Sequence, residues 1–291
     1  MNTLGIDIGG TSIKLALLSQ GPPILRDLLA HTPRPTPDQL APVLADALAQ
    51  VLAQIHRIDR LGLCLPGLFD HTTRTLAASV NHPNLVGLHL DSFLSSIRRD
   101  LPRAQVVPDA YAAAADFAAL HSPPGRLLAL SLGTGVGACV LDAGIPLKVS
   151  PPDAGLSSGH LGQIDVSMAI DTNPPIGPDG GRGSLEAYLG APALKARFGP
   201  NLHDALAAIT PDDPAILALV RTLRIAHAIY RPDTIALLGG VGLGLAHLLP
   251  EIHARTNADL TRLARPNWRL LPADDAFHAA RGAARLAGTT G

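Results

Sequence analysis

Aromatic side chains are scarce in this chain of 291 residues: five Phe, three Tyr and one Trp. A large core must therefore be built from Leu, Ala and Val, and the 47% apolar content allows it. Lysine is rarer still, present only at Lys14, Lys148 and Lys195. With 23 basic and 24 acidic residues the net charge is −1, and no Lys/Arg cluster breaks that balance. A nucleic-acid surface is argued against, because it needs a basic face. Arg98-Arg99, the densest basic pair, reads as a solvated helix face. The only cysteines, Cys64 and Cys139, lie in separate apolar strands without metal or redox spacing, which fits a reduced, cytoplasmic protein. The longest uncharged runs, Leu127–Leu141 and Thr234–Pro250, are interrupted by glycines and fall below the ~20 residues of a membrane span. The N-terminus enters a strand directly, with no basic leader or cleavage site, so no signal peptide is expected.

What the chain has is a pair of glycine-rich hairpins. Leu4–Leu18 reads LGIDIGGTSIKLALL, an apolar run that meets an acid, turns on Gly9, Gly10 and Thr11, and leaves as a second apolar run. Glycine lets backbone N–H groups approach a ligand closely, and successive N–H groups in a turn form an anion-binding concavity. Asp7 at the strand end could hold a metal ion's water shell, with Thr11 and Lys14 nearby. The alternative is an ordinary Gly-Gly hairpin whose Asp7 caps a turn. Leu130–Leu141, LSLGTGVGACVL, repeats the pattern about Gly133, Thr134 and Gly135. Two such turns half a chain apart suggest a duplicated architecture with phosphate held between facing turns.

At this length two domains are expected. A third strand spans Ile24–Ala30, the Pro-rich connector TPRPT follows, and apolar spacing predicts a helix over Pro37–Ile58. Strands at Leu61–Leu65 and Thr75–Ser79, a Pro83-Asn84-Leu85 loop and a helix near Leu90–Arg99 continue an α/β pattern. A short strand, Gln105–Val107, leads through Pro108-Asp109 into an alanine-rich helix, Ala110–Leu120. Asp109 reads as its N-cap, and a carboxylate at such a corner is also placed to accept a proton from a substrate hydroxyl. Ser150–Gly183 is irregular and too long for a plain connector. Helices are then expected around Leu185–Tyr188, Pro192–Phe198 and Pro214–Tyr230. Thr234–Leu238 is a strand running into Gly239-Gly240, a corner where a nucleotide could lie against the backbone, and Asp274–Leu286 is the last helix.

Taken in order, these pieces resemble the ROK sugar kinases of the actin/hexokinase/Hsp70 superfamily. The residues that carry the resemblance are DIGGTSIK (Asp7–Lys14), LPG (Leu65–Gly67), PNL (Pro83–Leu85) and Asp109 with its helix. LGTGVGA (Leu132–Ala138), GGRGSLEAY (Gly180–Tyr188), RPDTIALLGG (Arg231–Gly240) and ARGAARLA (Ala280–Ala287) complete the set. With no helix-turn-helix segment ahead of Met1, the chain resembles the kinase branch rather than the repressor branch. The resemblance implies an α/β, two-domain actin-like ATPase (ribonuclease H-like) fold with a central cleft, one domain being 1–109 plus 275–291 and the other 110–274. It implies ATP and Mg2+ held by Asp7, Gly9, Gly10, Thr11, Lys14, Gly133, Thr134, Gly135, Gly239 and Gly240, with Asp109 as base. It implies a sugar or sugar derivative held by Gly67, Asn84, Asp109, His160, Gln163 and Glu186; a homodimer is left open.

The departures are informative. Pro108 replaces an Asn before the base, and the family's Glu-x-Gly-His becomes His160-Leu161-Gly162-Gln163. The family's zinc ligands map to Gln163, Gly177, Asp179 and Ser184, so no zinc is expected, and Ser150–Gly183 is expected to be mobile and held by hydrogen bonds and packing alone. The leading expectation is an ATP-dependent, glucokinase-like carbohydrate kinase with an altered acceptor pocket, for which glucose is a poor substrate. The alternatives are a non-catalytic sugar- or nucleotide-binding protein and a polyphosphate-using kinase, since polyphosphate-using relatives also lack the zinc cluster.

Overall fold

Two five-stranded sheets organise the chain, and they share one strand order. The computed structural model describes residues 1–10, 12–29, 34–149, 159–167, 172–178 and 180–289. Thr11, Asp179 and much of the irregular 150–183 segment therefore lie outside the described residues. By its internal contacts the chain divides into two units, one built mainly from Met1–Ala119 and Phe277–Gly291, the other mainly from Leu120–Leu147 and Ser158–Ala276.

In the first unit, β1 (Thr3–Ile8), β2 (Ser12–Leu18) and β3 (Ile24–Leu29) form an antiparallel meander. On the other side of β1, β4 (Arg60–Cys64) lies parallel; β5 (Leu68–Asp70) and β6 (Thr75–Ala78) make a separate hairpin, and β7 (Ala104–Val107) completes the order β3-β2-β1-β4-β7. Helix α1 (Pro37–Leu52) starts at Thr36, whose hydroxyl accepts the Gln39 N–H while the Gln39 side chain accepts the Thr36 N–H, a reciprocal cap. The helix ends six residues before the expected Ile58. Ala53 caps it through the Ala49 and Val51 carbonyls, and Asn2 and Asp59 then bond reciprocally to seat β4 beside β1. Ile58, which continues the apolar spacing, is buried as the lead into β4 rather than as helix. Helices α2 (Leu90–Ile97) and α3 (Asp109–His121) complete the main run of the unit. Because the Pro108 carbonyl accepts the first helical N–H, from Ala112, Asp109 occupies the first turn and Pro108 the cap position expected for Asp109.

The second unit repeats the plan. Here β8 (Arg126–Leu132), β9 (Val136–Asp142) and β10 (Ile145–Pro146) are antiparallel, and β11 (Thr234–Leu238) and β12 (Arg269–Pro272) extend the sheet in parallel, in the order β10-β9-β8-β11-β12. The duplication anticipated from two glycine turns is thus a duplication of whole sheets. Helices α4 (Leu185–Leu189), α5 (Ala191–Phe198), α6 (Leu202–Ala208), α7 (Pro214–Tyr230), α8 (Gly239–Gly244) and α9 (Leu249–Asp259) belong to this unit. Its core is mostly Leu, Ile, Val and Ala, with Tyr188, Tyr230 and Trp268 as the buried aromatics. The irregular segment is held, where described, by backbone bonds such as Gly183 N–H to Pro175 carbonyl at 2.7 Å and Val166 N–H to Gly183 carbonyl at 2.9 Å.

The last helix, α10 (His278–Thr289), begins four residues later than expected and returns to the first unit. The Phe277 carbonyl accepts its first helical N–H, from Arg281, while Asp274 instead bonds His121 at 2.7 Å. Small residues bring α10 into backbone contact with its neighbours. A Cβ at Gly5 would overlap the Ala280 carbonyl, one at Gly62 the Ala283 carbonyl, and one at Gly282 the Ala112 carbonyl. A buried charge cluster fixes the same contact: the Asp116 carboxylate of α3 accepts from His278 Nδ1 at 2.8 Å, Arg281 Nε at 2.9 Å and Arg285 Nε at 2.7 Å. Burial opposes its charge, yet the His278, Arg285 and Arg281 contacts hold the carboxyl below its ordinary pKa. This cluster explains why the unit boundary falls at 119/120, beyond the expected 109: α3 is tied to α10. Gly282→Ala should cost at least ~1–3 kcal/mol of stability, because backbone rather than a flexible side chain must move. Urea denaturation checks this; a loss within about 0.5 kcal/mol, as for an ordinary surface change, would contradict the packing.

Candidate active site

In the first unit the candidate residues gather at the carboxyl ends of the parallel strands, where ligands bind in open α/β sheets. Asp7 near the end of β1 pairs in register with Lys14 on one side and Cys64 on the other, and Cys64 pairs with Val107 of β7. Asp109 follows two residues later, at the start of α3. Both carboxylates are half-buried. Burial first, then the Asp109 charge, raises the Asp7 pKa to about 7, against the opposing pull of Lys14. Burial likewise raises Asp109, while the Ala110 N–H, bonded to its Oδ1 at 2.7 Å, and its own backbone act the other way. Lys14 donates to the Ser12 hydroxyl at 2.5 Å and faces Asp27 on β3. A pair of desolvated carboxylates with a single nearby lysine is a donor set suited to a hydrated divalent cation.

The turn joining β1 to β2 is closed by the Gly9 N–H on the Ser12 carbonyl at 2.9 Å. Its Gly9 carbonyl accepts a bond from His82 Nε2 at 3.0 Å, and the Gly10 N–H has no acceptor among the described residues. Thr11, expected in this turn, lies outside the described residues. Gly67 has φ +122° and sits against Ala78 and Ser79, where a side chain would overlap the Ala78 carbonyl. Asn84, in the 3-10 turn Pro83–Leu85, is exposed and donates its amide to the Arg34 carbonyl at 2.6 Å.

The second unit brings together another set. Gly133, Thr134 and Gly135 turn between β8 and β9, with the Gly133 N–H bonded inside the turn to the Gly135 carbonyl at 2.9 Å. Glu186 of α4 accepts the Val136 N–H at 2.8 Å, and a Cβ at Gly135 would stand 2.8 Å from that carboxylate. Glu186 therefore braces the glycine turn. Gly162 packs on Val136, which brings the 3-10 turn Leu161–Gln163 onto the same strand, with His160 and Gln163 both exposed. Gly239, at φ +79°, leaves β11 beside the Leu132 carbonyl, and Gly240 is exposed after it. Because β8 and β11 are parallel neighbours, with Leu238 opposite Ser131, both glycine corners lie at one end of the sheet.

Of the positions that the resemblance would assign to zinc ligands, Ser184 is the buried N-cap of α4, accepting the Ala187 N–H, and Gln163 is exposed. Gly177 donates its N–H to the Gly181 carbonyl, and Asp179 lies outside the described residues. Among the described residues no group of three or more His, Cys, Asp or Glu could hold a metal ion. His82 was not singled out from the sequence. Its signal was an imidazole two residues before Asn84, and its contact is with a residue 73 positions away.

The raised Asp7 pKa has a stability consequence whose sign is fixed. The folded carboxyl, at about 7, binds a proton more readily than the unfolded one at 3.8. The metal-free protein therefore loses stability at this site as pH rises between those values. Asp7→Asn should raise the Tm of metal-free protein more at pH 8 than at pH 5, with the gain vanishing only below the unfolded value of 3.8. An equal Tm difference at both pH values, or a lower Tm at pH 8, would contradict this origin.

Comparison with known proteins bears on family and fold. The ROK family model matches residues 3–290. An N-acetylmannosamine kinase of Vibrio cholerae is 26% identical over 264 residues, spanning 85% of this chain and 87% of that protein. The crystal structure of a ROK hexokinase from Thermus thermophilus matches over 99% of this chain and 98% of its own, with TM-score 0.70 and 22% identity. A ROK family glucokinase from Streptomyces griseus, solved in complex with glucose and AMPPNP, matches over 99% of both chains with TM-score 0.73 and 19% identity. The architecture is that of these actin-like ATPase folds, and no described helix is long and apolar enough to cross a membrane. From residue 3 to residue 290, the chain belongs to the ROK family.

Proposed function

We propose that this protein is a sugar kinase that transfers the γ-phosphate of ATP to a hydroxyl of a hexose or N-acetylated hexosamine. The observation that carries the reading is Asp109: a half-buried carboxylate with a raised pKa at a strand-to-helix corner, beside Asp7 and the Gly9-Gly10 turn, in a chain of this family. Ala110 N–H engages Oδ1, so Oδ2 can take the proton of the attacking hydroxyl. As that O–H bond breaks, the oxygen bonds to phosphorus, the bond from the γ-phosphorus to the bridging oxygen breaks, and ADP leaves with the electron pair. Such transfer is mainly positioning and charge stabilisation, which suits a site made of backbone turns and two carboxylates. A magnesium ion bound with the nucleotide supplies positive charge across the phosphate oxygens. Asp7 would hold it through its water shell, and the Gly133–Gly135 and Gly239-Gly240 corners would cradle the nucleotide, with Lys14 beside Asp7.

On the acceptor side, Asn84, Gly67, His160, Gln163 and Glu186 would meet the sugar. A hydrogen bond to a charged group is worth about 1.5–3 kcal/mol and a neutral one ~0.5–1.5, so His160 in place of a carboxylate should weaken glucose by roughly tenfold. The N-acetylmannosamine kinase relative supports the N-acetylated class as the better acceptor.

Two experiments test this reading. Asp109→Asn keeps an oxygen for the Ala110 N–H but removes the base, and should lower kcat by ~10²–10⁴-fold; near-normal turnover would refute the assignment. ADP release should then be compared for glucose, mannose, fructose, N-acetylglucosamine and N-acetylmannosamine, with polyphosphate as a second donor. The N-acetylated sugars should give the highest kcat/KM, and glucose as the best acceptor would contradict the altered pocket.

A further inference from the structure

His82 is 1% exposed and stands between the two halves of the first unit's site. Its backbone N–H donates to the Ser79 hydroxyl at 3.0 Å, and its carbonyl accepts the Leu85 N–H at 3.0 Å, closing the 3-10 turn that carries Asn84. Its ring Nε2 reaches the Gly9 carbonyl at 3.0 Å. A carbonyl can only accept, so Nε2 carries the hydrogen. The other nitrogen, Nδ1, is buried without a partner among the described residues. Burial lowers the His82 pKa although the Gly9 and Ile8 backbone groups oppose the shift, so the ring is neutral near pH 7 with Nε2–H as its one donor.

The bond to Gly9 has a geometric consequence. In a trans peptide the C=O and the following N–H point in opposite directions. With its carbonyl held by His82, the Gly9–Gly10 peptide aims the Gly10 N–H the other way. That N–H has no acceptor among the described residues, and the glycine on either side of the peptide bond would let an unheld plane rotate freely.

We propose that His82 is a positioning residue for anion binding: its Nε2–H holds the Gly9–Gly10 peptide so that the Gly10 N–H faces a bound phosphate, and its own backbone ties that orientation to the turn presenting Asn84. The ligand is a polyphosphate group such as that of a nucleoside triphosphate. One imidazole then links donor and acceptor contacts within this unit. That ligand assignment rests on the kinase reading, but the orientation of the peptide does not.

The test uses the full-length wild type, His82→Gln, which can still offer an N–H near the Nε2 position, and His82→Phe, which keeps the ring volume without a donor. Nitrogen-15 NMR of histidine-labelled, ligand-free wild type should show His82 as the neutral Nε2–H tautomer, its signal identified by loss in His82→Gln. A Nδ1–H tautomer would overturn the proposal, whether or not the Phe variant folds. Calorimetric titration with Mg-AMPPNP should show His82→Phe binding about tenfold more weakly, the effect of one misplaced hydrogen bond, and His82→Gln close to wild type. Folded His82→Phe that binds like wild type, or His82→Gln that fails like Phe, would also overturn it. The Gly10 amide resonance should shift in His82→Phe and be retained in His82→Gln. Wild type with the expected tautomer and amide response that binds no nucleotide would support the His82 link and refute the kinase reading.

Discussion

The first unit depends on the closeness with which its last helix approaches its sheet. Without a Cβ at Gly5, Gly62 and Gly282, backbone meets backbone between α10, the two central strands and α3. A hydrophobic contact could slide; a contact made of carbonyls against glycines has one register. The Asp116 cluster adds a buried carboxylate with three cationic or imidazole donors, which strongly disfavours separation because each charge would be left unpaired.

From that contact the site geometry follows. The ends of β1, β4 and β7 are held level, as the pairing of Asp7 with Cys64 and of Cys64 with Val107 records. With α3 locked to α10, Asp109 is fixed at the start of its helix beside the end of β1. Two carboxylates are thereby kept in a desolvated position that neither would choose alone, and the energy stored there is available to a cation or a proton. The fold holds together what electrostatics would disperse.

Much of this was legible in the sequence, because the informative features are local. Glycine-threonine turns between apolar runs identify both hairpins, and the Pro108-Asp109 corner before an alanine-rich run identifies the junction between β7 and α3. The small residues of ARGAARLA signalled close packing, although not its partners. What escaped was non-local. The end of α1 could not be read because Ile55 and Ile58 keep helical spacing while Ile58 serves β4. The start of α10 was placed four residues early, because Asp274 bonds His121 and the first helical N–H goes to the Phe277 carbonyl. His82 is invisible to pattern, since its partner lies across the fold and nothing in its neighbourhood requires an imidazole. The bracing of the second glycine turn by Glu186 is of the same kind.

The account stands on the two carboxylates being electrostatically linked in the folded, metal-free protein. Carbon-13 NMR titration of the aspartate carboxyls measures this directly. One resonance, lost in Asp7→Asn, should titrate near pH 7 in the wild type and move toward the ordinary carboxylate range in Asp109→Asn. If every aspartate of the wild type titrates below about pH 5, or if the Asp7 signal is unmoved by Asp109→Asn, the linkage is absent and the account fails.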